Sequence, residues 1–221
     1  MLQIILDDLV KRYPPLETLR DELLKAGQCL IDCYEKKGKV LACGNGGSSS
    51  DADHIVAELM KGFEHKRPVD EWLKNKLIEV GGDRGAWLSE KLQVGLPAIS
   101  LTAHTALITA VANDNGADVI FAQQVVGYGN PGDVLLAISS SGDSQNIVDA
   151  ILVAKAKGLT VIGLTGESGG KMKELCDILM NVPGQRTASV QEYHLPLIHA
   201  LCWMVESHFF GNIYPDPKKS L

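Results

Sequence analysis

Five short runs of nearly unbroken apolar residues limit what this chain can fold into: KVLAC (39–43), AISL (98–101), DVLLAIS (133–139), TVIGLT (160–165) and DILMNV (177–182). A strand with one wet face alternates apolar and polar residues. These runs do not alternate, so both of their faces need cover. Between them lie stretches with apolar residues at helical spacing, at about 50–64, 105–113, 119–127, 144–157 and 169–176, and a last one runs from about 189 to 210. The alternation predicts a doubly wound α/β fold, a five-stranded parallel sheet flanked by helices. Ligands of such sheets bind beyond the carboxyl ends of the strands. Two Gly/Ser-rich turns, after the first and third runs, fall at those ends.

Two helices precede the first strand. One spans 2–12 and is stopped by Pro14-Pro15; an amphipathic one spans 16–37, with Leu16, Leu19, Leu23, Leu24, Leu30 and Ile31 on its apolar face. Residues 64–97 break the rhythm. Their apolar positions, Trp72, Leu73, Leu77, Ile78 and Val80, then Trp87, Leu88 and Leu92, suggest two short helices around Gly81-Gly82. We read a helical insertion, either a surface elaboration or an active-site lid or subunit contact, within a single domain spanning 1–221. The chain is acidic, with a formal net charge of −6 and no basic run, which argues against non-specific nucleic-acid binding. The opening MLQIILDDLVKRYPP places acids directly after a short apolar run, unlike a signal peptide, and no stretch approaches membrane-spanning length. The five cysteines are odd in number and lack CxxC spacing; Cys29 and Cys33, one helical turn apart, read as buried thiols. A reduced, cytoplasmic protein is expected, with no membrane or nucleic-acid partner.

Each Gly/Ser turn carries chemistry. In AISSSGDSQNIVDAI (137–151) a strand runs into Ser139-Ser140-Ser141-Gly142-Asp143-Ser144 and a helix begins. The first N–H groups of a helix lack intrahelical partners and carry partial positive charge. Hydroxyls of Ser139, Ser141 and Ser144 converging there make a phosphate cradle that needs no lysine; the plainer alternative is an N-cap in a polar loop. In LACGNGGSSSDADHIVAEL (41–59), Gly44, Gly46 and Gly47 permit a tight strand-to-helix passage, and Asn45, Ser48 and Ser49 offer donors. Neither a GxGxxG fingerprint nor a GK[ST] loop is present, which speaks against a nucleotide-dependent enzyme. His54 and Glu58, at i and i+4, share a helix face behind that turn. They suit proton transfer at a sugar carbon, metal ligation, or a simple surface pair. In SVQEYHLPLIHALCW (189–203), Gln191, His194 and His199 interrupt an apolar helix, with Gln191 and His199 near one face.

The stretches CGNGGSSSDADHIVAEL, ANDNGADVIFAQQV, GDVLLAISSSGDSQNIVDA, GLTGESGGKM and VQEYHLPLIHAL together resemble the sugar-isomerase (SIS) domain family, and within it the phosphoheptose isomerases. The resemblance covers residues 35–210 outside the insertion. It implies a flavodoxin-like five-stranded sheet, a homotetramer and active sites at subunit interfaces. It further implies an aldose–ketose isomerase acting on sedoheptulose 7-phosphate through an enediol. Glu58 would be the base and His199 its acid/base partner. His54, Glu58, Gln191 and His199 match positions that can hold a zinc ion. Ser139, Ser140, Ser141 and Ser144 would hold the phosphate, and Asn45, Gly46, Gly47, Ser48, Asp114 and Gln191 would line the sugar site.

A regulator of replication initiation in the same family lacks the Glu and the carboxyl-terminal His, so these residues favour the isomerase. Departures remain. Where family members read Gly-Arg-Phe this chain has Lys61-Gly62-Phe63, and their Ala-Arg-Ile-Gln stretch is Ala188-Ser189-Val190-Gln191 here. They leave the exact sugar phosphate open. With the insertion, they keep a second reading in play, a non-catalytic phosphosugar-binding regulator or interaction module.

Overall fold

The computed structural model describes residues 2–211 of the 221; residue 1 and residues 212–221 of the expected domain lie outside the described residues. Five strands, β1 (Val40–Gly44), β2 (Ala98–Ser100), β3 (Val134–Ile138), β4 (Thr160–Thr165) and β5 (Ile178–Asn181), form one sheet in the order β2-β1-β3-β4-β5. Every pairing is parallel, with Val40 opposite both Ala98 and Val134, Val134 opposite Thr160, and Ile162 opposite Ile178. The lack of alternation in the strands has the expected cause. Val40 and Ala42 enter one core while Leu41 and Cys43 enter another on the opposite face.

The first core is closed by α1 (Leu2–Arg12), α2 (Arg20–Glu35), α3 (Gly47–Met60) and α9 (Thr187–Phe210), through Ile5, Leu23, Leu30, Ile55 and Leu201 among others. The second is closed chiefly by α6 (Ile120–Tyr128) and α7 (Gln145–Ala156), through Phe121, Val125, Ile147 and Ile151. Each such fully buried aliphatic side chain contributes roughly 1.5–3 kcal/mol. Cys33 is buried and Cys29 half-buried; burial pushes both thiols up to about 11, so neither is a reactive thiolate at neutral pH.

The helices depart from expectation mainly at their ends. The 16–37 helix starts only at Arg20, because Pro14 opens a 3-10 turn over Pro14–Leu19 first. The 169–176 helix shrinks to one turn, α8 (Met172–Leu175), after Gly169 and Gly170, both at positive φ. The helix expected over 50–64 spans Gly47–Met60 instead, starting at the glycines themselves. In the insertion, α4 (Glu71–Lys91) reverses at Gly82, whose φ of 50° and ψ of −130° break the helix. A Cβ on Gly85 would collide with the Leu77 carbonyl, so the two arms lie backbone to backbone. Asp70 caps the first arm by accepting the Leu73 N–H at 2.7 Å. A Pro68–Gln93 bridge closes the base, and Trp72, Val80 and Trp87 stand exposed on the arms. α5 (Thr105–Asp114) completes the set. Among the described residues no helix is long and apolar enough to cross a membrane.

Candidate active site

The strand order reverses between β1 and β3, with β2 on one side of β1 and β3 on the other. A crevice therefore opens beyond Gly44 and Ile138, where the following helices leave the sheet in opposite directions. Gly44 cannot carry a side chain, because a Cβ there would meet the Ser48 carbonyl in the first turn of α3. Gly46 makes the turn itself, at a φ of +57°. Asn45 and Asn146 then lock the two turns together with reciprocal amide hydrogen bonds of 2.9 and 3.0 Å.

In the crevice lies a cavity of about 260 Å³. Three helices begin at its wall: α3 through Gly47 and Ser48, α7 through its N-cap Ser144, and α9 through Thr187 and Gln191. None of the three N-caps makes a side-chain capping bond, so helix N–H donors are left for a ligand. Ser144 turns its hydroxyl to Ser139 Oγ instead, at 3.1 Å, and Ser140 lines the same wall. Among the described residues no lysine or arginine lines the cavity. Three dipoles of about half a positive charge each supply the positive field, which suits a phosphate dianion. Two expected residues lie elsewhere. Ser141 accepts the Asp143 N–H at 3.2 Å and faces the adjoining cleft with Glu167. Asp114, exposed at the end of α5, accepts a bond of 2.7 Å from Asn113.

A second group sits farther along α3 and α9. The His54 and His199 rings meet edge to face at 5.1 Å, and His54 Nε2 is 3.5 Å from Glu58 Oε1. Lys61 Nζ donates to the other Glu58 oxygen at 3.0 Å. Phe63 covers His199 at 5.4 Å and stacks on Trp203. Burial holds the His199 imidazole below its ordinary pKa, with His54 adding to the effect and Glu58 opposing it, so the ring is neutral at neutral pH. Asp51, one turn before His54, is half-buried with Oδ2 unpartnered; burial raises its carboxyl pKa against the pull of His54. His194 is a core residue, its Nε2 3.3 Å from the Thr165 carbonyl.

Gln191 belongs to the first group. It packs on Gly47, where a Cβ would strike its Nε2, and eight residues of helix place it about 12 Å along α9 from His199. The donor types of His54, Glu58, Gln191 and His199 suit zinc, and the 3.5 Å between His54 Nε2 and Glu58 Oε1 is close to the edge of a tetrahedral zinc site, roughly 3.3 Å. Gln191, packed on Gly47 at the start of α3, does not lie beside that pair. Among the described residues no group of three or more His, Cys, Asp or Glu is placed to hold a metal.

Sequence reasoning missed Asn146, which pairs with Asn45 at the start of α7, and Thr187, which lines the cavity at the start of α9. It also missed Arg67 and Glu206, a fully buried ion pair below the His54 group, with Arg67 Nε 2.9 Å from Glu206 Oε1.

Comparison with known proteins agrees with this geometry. The SIS domain family matches residues 8–76 and 84–166, and its gap falls at the tip of the α4 reversal. The chain is 41% identical over 196 residues to the phosphoheptose isomerase of Burkholderia pseudomallei, covering 89% of this chain and 86% of that one. It is 44% identical over 200 residues to that of Rhodospirillum rubrum, covering 86% and 93%. It also superposes on the phosphoheptose isomerase structure from Neisseria gonorrhoeae with a TM-score of 0.71 at 34% identity, covering 91% and 94%. The chain belongs to the SIS domain family, in its phosphoheptose isomerase branch.

Proposed function

We propose that this protein is an aldose–ketose isomerase that converts sedoheptulose 7-phosphate to D-glycero-D-manno-heptose 7-phosphate in the cytoplasm. One observation carries the reading: α3 bears both halves of a site, its N-terminus walling the phosphate cavity and its later turns carrying Glu58 and His54 opposite His199, so that each copy would lend a cradle to one site and a proton-transfer group to another. The three helix starts and the Ser139–Ser144 pair bind the phosphate. Glu58 takes the proton from C1 and returns it to C2 of the resulting enediol. His199, neutral and shielded by Phe63, passes a proton between O1 and O2.

The distances support assembly from several copies, as in a homotetramer. Glu58 is eleven residues beyond Gly47 on one helix, about 16 Å by helical rise, whereas an extended seven-carbon sugar phosphate spans roughly 10 Å by bond lengths. A substrate in one chain's cradle therefore meets a proton-transfer group of another. Zinc is part of the proposal on the same terms. His54 and Glu58 of one copy would supply two ligands, with His199 and the Gln191 of a second copy completing the set on assembly, and the bound ion would polarise the sugar carbonyl. Protein purified without chelators is expected to carry about one zinc per chain by elemental analysis, and His54→Ala protein to carry little. Equal metal content in both would remove zinc from this site.

The direct test is incubation with sedoheptulose 7-phosphate in deuterated water, followed by NMR. Deuterium in the sugar together with an aldose product supports the reading. Binding without exchange or product supports the regulator instead. In the cradle, Ser139→Ala/Ser144→Ala should raise KM about 100-fold or more, because each hydroxyl-to-phosphate bond is worth roughly 1.5–3 kcal/mol. The change should be smaller in kcat and in melting temperature, since Ser144 makes no side-chain cap. An unchanged KM would place the phosphate elsewhere.

A further inference from the structure

The buried pair Arg67 and Glu206 lies outside the machinery described so far, and it touches that machinery at two points. Arg67 is 1% exposed and Glu206 is not exposed at all. Arg67 Nη1 donates to the Leu59 carbonyl at 2.7 Å and Nη2 to the carbonyl of Glu58 itself at 3.2 Å, which fixes the last turn of α3. Glu206 Oε1 accepts the Phe63 N–H at 2.9 Å, and Oε2 accepts those of Glu64 and His65 at 2.8 and 3.3 Å. One carboxylate thus gathers three consecutive amides. The loop it gathers is the one that lays Phe63 over His199 and leads to Lys61 at Glu58. Glu206 is seven residues beyond His199, two turns along the same face of α9.

We propose that Arg67 and Glu206 are positioning residues for the isomerisation, holding Glu58 on α3 and His199 on α9 in fixed relation through the loop 61–67. The proposal rests on the isomerase reading. A buried ion pair adds little stability over well-packed apolar residues. This one adds direction, because the guanidinium fork reaches two backbone carbonyls and a carboxylate at once, which a lysine ammonium cannot reproduce in the same plane. The Arg67 guanidinium also lies 4.6 Å from the Phe210 ring, so its free face is filled. Since a displacement near 1 Å at reacting groups costs about 100-fold in rate, small losses of this alignment should appear in turnover.

The test compares steady-state kinetics of the full-length native protein, Arg67→Lys and Phe63→Leu on sedoheptulose 7-phosphate. Arg67→Lys keeps the buried charge, and it should lower kcat roughly 30- to 100-fold while KM stays within about twofold, because the phosphate cavity is not touched. Phe63→Leu leaves both buried charges paired and carries the test if Arg67→Lys does not fold. It should lower kcat about tenfold without raising KM, and in the Arg67→Lys background it should add less than that factor, as two changes along one path do. An Arg67→Lys protein of lower melting temperature but native kcat would make the pair purely structural and overturn the proposal. So would a loss confined to KM, or a Phe63→Leu protein with native kcat. Native protein without turnover would sink the isomerase reading, and this proposal with it; active native protein with equally active variants would sink the proposal alone.

Discussion

Glu58→Gln is expected to abolish isomerisation, with kcat lowered about 1,000-fold or more and no deuterium entering the sugar from solvent. A positioned general base is worth roughly 100- to 10,000-fold, and in the proposed mechanism this carboxylate serves both reacting carbons. Its side chain is 15% exposed, reached by His54 on one oxygen and Lys61 on the other. Glutamine keeps the size of the side chain and an oxygen for Lys61, so the melting temperature should shift by no more than a degree or two. KM should change little, because the phosphate cavity lies about 16 Å up the helix. Steady-state kinetics beside an NMR exchange assay check both halves. Retained exchange in the variant would move the base to another residue, for which the half-buried Asp51 with its unpartnered oxygen is the nearest candidate.

How far the site could be read ahead follows from what a one-dimensional pattern can carry. The five strands were legible because two covered faces leave no room for polar alternation. The reversal between β1 and β3 was legible only through the family resemblance, which implies a flavodoxin-like sheet, but the two turns it brings together were legible directly, since glycine and serine at a helix start are visible without knowing the order of strands. Thr187 was missed by two residues of helix boundary. Gln191 shows a different limit. Its spacing from His199 correctly put both on one face of α9, but sharing a face is not sharing a place, and about 12 Å of helical rise separates them. Arg67 and Glu206 were invisible for a third reason. Charged residues are exposed by default, and nothing local marks two of them, 139 positions apart, as partners. His194, the third polar position of the last helix, is a core group, as a lone histidine on an apolar helix usually is, with its imidazole turned toward the Thr165 carbonyl.

That core histidine should make the protein acid-sensitive well above the range where carboxylates titrate. His194 is wholly buried, its Nδ1 has no partner, and burial drives its pKa down to about 4, with the bond to the Thr165 carbonyl offsetting only part of the effect. In the unfolded chain the same imidazole titrates near ~6.5. Between those values the unfolded state binds a proton that the folded state refuses, so stability falls as the pH drops through this window. The loss is about 2 kcal/mol by pH 5 and about 3 kcal/mol near pH 4, a large share of the roughly 5–15 kcal/mol that holds a domain together. His199, also held below its ordinary value by burial, acts in the same direction. Glu206, whose bonds from Glu64, Phe63 and Arg67 outweigh the opposing effect of burial and lower its pKa, matters only at more acid pH. Urea unfolding at pH 7 and pH 5 isolates the histidines. His194→Gln should be about 1 kcal/mol less stable than the native protein at pH 7, for the lost packing and hydrogen bond, and should lose about 2 kcal/mol less on going to pH 5. Parallel losses in the two proteins would mean that the acid sensitivity resides in another group.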